Sequence, residues 1–431
     1  MQRIELNYSR GRLPVELPSD IELAVIRKRA MPVLPEPEVA IRRALARPVN
    51  APPLRALARG RKSACILICD ITRPVPNGLF LPILVGELLE AGLDASRITV
   101  LVATGLHRPN EGEELEELVG SSWVMQTVEV ANHYARNDDD HVDLGFTPGR
   151  GVPVKLDRRL AEADLKIATG LVEPHFMAGY SGGRKVIAPG VAHKDTITTF
   201  HSARFMEHPK AANCVLDGNP LHEEQLAIVA MLGGALALST VIDEDRRLSF
   251  VNFGEIVESH LLAVEHIRGF AEVAVPERFG TVLTSAAGYP LDKTYYQTVK
   301  GMVAPMDILA PGGDLIIASA CSEGIGSDEF RDAQRRLVDG GPERFLEEIG
   351  KKRFADIDEW QTQMQLKPMR IGSIQLYSEG LPAADRDLTG VALIESIADA
   401  VRASVVRSGV RRIAVIPEGP YVVPVHRPTD G

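Results

Sequence analysis

The chain has 431 residues, of which 45% are hydrophobic and 25% charged, and a formal net charge of −10 at pH 7. That length suits two or three domains with a sizeable core. The acidic balance argues against a nucleic-acid partner, and no apolar run is long enough to cross a bilayer, so no membrane association is expected. The opening MQRIELNYSRGRLPVELP has no apolar leader pattern, and four cysteines (Cys65, Cys69, Cys214, Cys321) fit a reducing compartment, so a cytoplasmic location is expected.

Residues 1–60 are rich in Pro and Arg and read as an irregular wrapping segment with one or two short helices, such as EPEVAIRRALAR. Continuous apolar runs then predict strands over 64–70, 97–104, 165–172, 235–242, 280–287, 314–321 and 411–417. Such runs suit strands covered on both faces. Helical spacing appears between them over 79–92, closed by Gly92, and over 223–232 and 388–404. The alternation implies an α/β fold with mainly parallel sheets, and two α/β domains are expected. HIRGFAEVAVPERFG marks the expected boundary, giving an N-terminal domain over 1–272 and a C-terminal domain over 273–415, with the tail 416–431 returning to the first. Cys65 and Cys69 share one face of a strand too far apart to bond, and read as buried core residues.

Ligands of open α/β sheets bind outside the carboxyl ends of the strands. Three polar clusters begin there: DITRPVP after the first run, GLHRP after the second and EPHFMAGYSGGRK after the third. They deliver Asp70, Arg73, His107, His175 and Lys185 toward one crevice. VATGLHRP and IATGLVEP echo one another, each following a strand, turning at a glycine and supplying a histidine.

The glycines before Lys185 suggest a phosphate cradle, but a Walker loop requires Lys followed by Ser or Thr, and Val186 follows here. The dinucleotide pattern fails in this stretch and again in SEGIGSDEF, where Glu329 replaces the last glycine. Gly182 and Gly183 still permit close backbone approach to a ligand. The apolar VIAPG that follows places Lys185 at the start of a buried segment, where an amine can lose its proton and become nucleophilic.

His201 opens FHSARFMEHP, and an imidazole suits nickel, zinc, copper or iron. No H-E-x-x-H or paired C-x-x-C accompanies it, so a metal there needs ligands from elsewhere. In the second half, TYYQTVKG has helical spacing that groups Tyr296, Gln297 and Lys300 on one face. Trp360 is one of two tryptophans and reads as a packing residue or a pocket wall.

Taken in order from 70 to 424, DITRPVP, ATGLHRP, EPHFMAGYSGGRKVIAPG, FHSARF, YYQTVKG and VIPEGPYVVP resemble the lactate racemase family, the enzymes of the nickel-pincer nucleotide. The resemblance implies an isomerase that racemises or epimerises 2-hydroxy acids by reversible hydride transfer between substrate C2 and that cofactor. The cofactor is a pyridinium-3-thioamide-5-thiocarboxylic acid mononucleotide carrying nickel. It implies that Lys185 tethers this nucleotide covalently, that Asp70, Gly182 and Gly183 lie beside it, and that His201 is the protein's ligand to nickel. His107 and His175 match the acid–base pair, and Arg73, Gln297, Lys300, Tyr296 and Trp360 the substrate-binding set. The resemblance also implies an active-site cleft between the two domains. A small 2-hydroxy acid and the proteins that make the nucleotide and insert nickel are the implied partners.

Hydride removal suits this chemistry. A proton on C2 beside a carboxylate is very weakly acidic, whereas a planar 2-keto acid can be re-reduced on either face. Two further readings stay open: a metal-dependent 2-hydroxy acid dehydrogenase, which lacks a dinucleotide fingerprint, and a non-catalytic cofactor-binding protein, which has no use for two acid–base histidines.

Overall fold

The computed structural model describes residues 1–428. The chain forms two compact units. One comprises Ala30–Phe200 with Val215–Gly269; the other comprises Met1–Arg29, His201–Cys214 and residues from Phe270 onward. This division differs from a single cut at 272. The segments 1–29 and 201–214 group with the second half of the chain, and so does the tail, whose strand Val423–His426 pairs in parallel with Glu272–Val275.

The unit built on Ala30–Phe200 holds a six-stranded sheet. Its order is Leu248–Glu255, Leu236–Ile242, Leu165–Leu171, Ala64–Cys69, Ile98–Ala103 and Glu129–Asn132. Every pairing is parallel except the edge strand Leu248–Glu255. Ile66, Ile68, Val100, Val102 and Ile167 pack with Phe80, Leu84 and Leu88 of the helix Asn77–Glu90. From Ala64–Cys69 the chain moves outward on one side to Glu129–Asn132, then returns to lay Leu165–Leu171 on the other side. The reversal falls between Ala64–Cys69 and Leu165–Leu171, so the crevice outside their carboxyl ends is where this topology binds ligands.

The other unit has a six-stranded, all-parallel sheet in the order Ala392–Ile394, Ser373–Tyr377, Leu309–Ala318, Phe279–Ser285, Arg412–Ile416 and Glu22–Val25. Leu283, Ile316, Ile413 and Val415 share its core with Leu6 and Leu17. Those two leucines come from an antiparallel hairpin, Gln2–Tyr8 with Gly11–Leu17, where an irregular segment was expected. The hairpin is explained by period-two alternation: Ile4, Leu6 and Tyr8, then Val15 and Leu17, face inward.

The helix expected over 388–404 is also corrected. Gly390 takes φ +65°, Ala392–Ile394 becomes an edge strand, and Ser396 caps a new helix, Ile397–Ser408, by accepting from Asp399 N at 3.2 Å. The helices predicted at 36–47 and 79–92 form over Pro37–Ala46 and Asn77–Glu90. Among the described residues no helix is long and apolar enough to cross a membrane.

Candidate active site

Asp70 is the first residue after the Ala64–Cys69 strand and is 6% exposed. Its Oδ1 accepts from Thr72 N at 3.2 Å and from Thr72 Oγ1 at 2.6 Å, and its Oδ2 lies 2.5 Å from His107 Nδ1. Burial alone raises this carboxyl, but His107, Thr72 and Arg73 together bring it down to about 2. An ionised carboxylate accepts only, so it draws the imidazole proton to Nδ1 and leaves Nε2 as the proton-accepting atom.

His107 sits on the turn after Ile98–Ala103. The turn is tied to the lysine-bearing segment by Gly105 N, which donates to Gly190 O at 2.9 Å. Gly190 has no room for a side chain: a Cβ there would lie 2.0 Å from Val186 O. The echo between VATGLHRP and IATGLVEP breaks at this point. Gly105 turns with φ +56°, but Gly170 remains inside the strand Leu165–Leu171, where a Cβ would press to 3.0 Å of Val186.

After Leu165–Leu171 the chain makes a tight hairpin, Pro174–His175 with Gly179–Tyr180. Ser181 closes it by donating its hydroxyl to Leu171 O at 2.8 Å. Glu173 pairs with Arg73 at 3.1 Å, joining the two strand ends that flank the topological reversal. His175 is 7% exposed, and its Nδ1 accepts from Met177 N at 3.3 Å and Ala178 N at 3.2 Å.

A single helical turn, Arg184–Ile187, carries Lys185. The lysine is partly buried, and its amine has no ion-pair or hydrogen-bond partner among the described residues. Burial, with Arg73 and Arg184 nearby, pushes that amine down to about 7, against weaker opposing pulls from Cys69 and Asp70. An amine so placed is substantially unprotonated at neutral pH and can form a covalent bond. Gly182 (φ +76°) and Gly183 (φ +50°) owe their identity to the chain's own packing: a Cβ would lie 2.7 Å from Val172 Cγ2 in the first case and 2.9 Å from His260 Cβ in the second.

Asp70, Arg73, His107, His175 and Lys185 thus all stand at strand ends of one sheet. The remaining expected residues lie in the other unit. His201 is 7% exposed, with its ring 4.9 Å from the Trp360 ring. Trp360 Nε1 donates to Tyr296 Oη at 3.3 Å, and Gln361 Nε2 to Tyr296 O at 2.5 Å. Tyr296, Gln297 and Lys300 share the helix Tyr295–Val303, which Thr294 caps. Gln297 is buried, and its Oε1 has no hydrogen-bond partner among the described residues.

Sequence reasoning missed several participants. Glu173 lay inside the quoted motif, and its signal was a lone acid before a histidine. Arg184, which no motif singles out, is 1% exposed and donates to His222 Nδ1 and His260 Nε2, each at 2.8 Å. Cys69 is partly exposed rather than core, because it ends its strand beside Asp70; burial and that carboxylate push its thiol up to about 11.

The donor set can be tested against the implied cofactor. Lys185 offers a free amine at the sheet's binding crevice, as a covalent tether requires. Among the described residues no three His, Cys, Asp or Glu side chains gather to hold a metal, and a metal at His201 would need its other donors from a bound group. The residues present therefore fit it.

Comparison with known proteins shows the family of the chain. Residues 8–213 match the lactate racemase N-terminal domain and residues 276–424 the lactate racemase C-terminal domain. The chain is 34% identical to a lactate racemase of Thermoanaerobacterium thermosaccharolyticum over 77% of each protein. It is 31% identical to a lactate racemase of Lactiplantibacillus plantarum over 89% of this chain and 90% of that one. The structure of the lactate racemase apoprotein from T. thermosaccharolyticum superposes with a TM-score of 0.89 at 29% identity, covering 98% of this chain and all of that one. A Thermotoga maritima protein at 20% identity and TM-score 0.68 shares the fold, over 90% of this chain and 98% of that one. The protein is therefore an isomerase of the racemase class. The chain belongs to the lactate racemase family.

Proposed function

We propose that the protein racemises or epimerises a small 2-hydroxy acid at the crevice of the Asp70–His107–Lys185 sheet, with a nickel-pincer nucleotide held covalently by Lys185. The observation that carries this reading is Lys185 itself, an unpaired and readily deprotonated amine at the topological reversal, beside a carboxylate–imidazole pair. When bound, the nucleotide supplies a hydride acceptor and donor for substrate C2, and His201 would serve as the protein's ligand to its nickel.

This chain's residues do the rest. His107, oriented by Asp70, takes the hydroxyl proton through Nε2 as C2 loses hydride, and returns it when hydride comes back. His175 serves the hydroxyl of the opposite enantiomer. Arg73, kept in place by Glu173, presents a guanidinium to the substrate carboxylate; a planar fork suits that anion better than a point charge. Gln297, Lys300, Tyr296 and Trp360 of the other unit would be the further substrate-binding residues. The compartment is the cytoplasm, and the partners are the proteins that synthesise the nucleotide and load nickel.

Two measurements test this. After coexpression with those proteins, intact mass should show a covalent adduct that Lys185→Ala lacks. A screen of about a dozen 2-hydroxy acids deuterated at C2 should then find a substrate that racemises with deuterium largely retained. Complete exchange with solvent hydrogen would sink the hydride route, and absence of the adduct would sink the tether.

A further inference from the structure

We propose that Asn219 and Arg184 are positioning residues that fix His175 as the neutral tautomer protonated on Nε2, so that the two histidines enter the reaction in different states. The consequence for turnover rests on the racemase reading above; the tautomer itself does not.

The contrast lies in what each Nδ1 faces. His107 Nδ1 faces the Asp70 carboxylate, which only accepts, so that nitrogen carries a proton and Nε2 is open. His175 Nδ1 faces two backbone N–H groups, Met177 and Ala178, which only donate. It must offer its lone pair, and the proton of the neutral ring belongs to Nε2. A second proton on His175 would have to occupy Nδ1, against both donors.

The peptide that supplies the Ala178 N–H is pinned from behind, and so is the carbonyl that follows it. The peptide whose N–H is Ala178's has Met177 O as its carbonyl, and that oxygen accepts from Asn219 Nδ2 at 2.8 Å. Asn219 is fully buried; its Nδ2 also reaches Val215 O at 2.9 Å, and its Oδ1 caps the helix Pro220–Met231 by accepting from Leu221 N at 3.0 Å. The next carbonyl, Ala178 O, accepts from Arg184 Nη2 at 3.0 Å. Gly179 follows with φ +78°, and a Cβ there would lie 2.3 Å from Val215 O, so the loop is seated directly on the residues leading to Asn219.

Arg184 is held in turn by His222 and His260. A guanidinium has no acceptor, so His222 offers its Nδ1 lone pair, while His260 Nε2 lies between Arg184 Nη1 at 2.8 Å and Ser181 O at 2.9 Å, and burial first, then Arg184, holds that imidazole well below its ordinary value. Burial, followed by Arg184, lowers His222 to about 3, and burial lowers Arg184 itself to about 9, which leaves it cationic at neutral pH. No carboxylate contacts Arg184 among the described residues. Turning the Ala178 N–H away from His175 therefore breaks the buried hydrogen bond from Asn219 to Met177 O behind it. His107 can accept the substrate proton as it stands. His175 starts as a hydrogen-bond donor, and accepting a proton requires its ring or residues 176–178 to move first.

Long-range nitrogen–proton NMR on the unloaded chain reads the tautomer directly, with the His175 signals assigned through His175→Gln. A single neutral pattern with the proton on Nε2 is expected near pH 7.5. Asn219→Asp keeps a side-chain acceptor for the helix cap but places an acceptor against Met177 O. It should convert His175 to a mixture of tautomers with unchanged circular dichroism, and in the loaded enzyme lower kcat roughly tenfold with KM within about twofold. Arg184→Lys, which cannot span both histidines and Ala178 O, should act in the same direction and provides a second reading if Asn219→Asp does not fold. A parent chain with His175 protonated on Nδ1, or a folded Asn219→Asp with unaltered His175 signals, would overturn the proposal. Because these spectra need no turnover, their failure is distinct from failure of the racemase reading.

Discussion

The Asp70 carboxylate and the His107 imidazole meet at 2.5 Å across two adjacent strand ends, with Asp70 buried and His107 exposed. The acid is thereby removed from solvent while the base it orients remains reachable. Asp70→Asn keeps the shape but can donate to Nδ1 and so reverses the tautomer. In the loaded enzyme it is expected to reduce kcat about a hundredfold or more, with the Lys185 adduct intact by mass.

The same carboxyl links activity to acid stability. Its folded value of about 2 lies below its ordinary 3.8, so folding favours the ionised form. That contribution, about 2 kcal/mol by linkage, is complete above about pH 4 and lost as pH falls toward 2. Asp70→Asn should therefore flatten the decline of melting temperature over that window. A parallel decline in both proteins would place the acid sensitivity elsewhere.

The strand-end chemistry was legible because its elements obey simple rules. Ile66, Ile68, Val100 and Val102 sit in unbroken apolar runs, which sheets covered on both faces require, and polar residues immediately after such runs fall at the ligand-binding edge. Asn219, His222 and His260 were not legible. Each is a polar residue within or beside an apolar helix, and only tertiary packing brings it against Met177 O or Arg184. The Gln2–Tyr8 hairpin was concealed by local Pro and Arg content, although its alternation was present. In 388–404 the apolar spacing carried through Gly390 and Ser396, two residues whose backbone and cap roles divide the segment.

Lys185 gives the opposite pH dependence to Asp70. Its folded value of about 7 lies below the ordinary 10.5, so folding disfavours the charged amine. The penalty is complete below about pH 7 and vanishes as pH rises through 10.5. Lys185→Met in the unloaded chain should melt above the parent at pH 6, with the difference closing by about pH 10. Equal melting temperatures at pH 6 would show that the amine is not held in this state.

Arg73 and Glu173 should move Lys185 in opposite directions. They form a 3.1 Å pair with side chains 17% and 10% exposed, and Arg73 is the strongest charged influence lowering the amine. Arg73→Ala should raise the pH midpoint for labelling Lys185 with an amine-reactive reagent. Glu173→Gln leaves the guanidinium less compensated; it should lower that midpoint and destabilise the chain by about 1–3 kcal/mol. Shifts of the same sign in both variants would refute the electrostatic account.

The proposed tether, Lys185, and the proposed metal ligand, His201, make separable demands. Lys185 and His201 belong to different compact units, and each is placed by its own surroundings: Lys185 by the turn Arg184–Ile187, His201 by the Trp360 ring that Tyr296 holds through its hydroxyl. A covalent bond to Lys185 needs no imidazole, whereas a single imidazole is a poor nickel site without donors from a bound group. In protein loaded in cells, Lys185→Ala should therefore lack both adduct and nickel. His201→Ala should keep the adduct by intact mass and lose the nickel by elemental analysis, with racemisation abolished. Stoichiometric nickel in His201→Ala would remove this histidine from the metal's ligand set, and nickel retained by Lys185→Ala would require a site built by the protein alone.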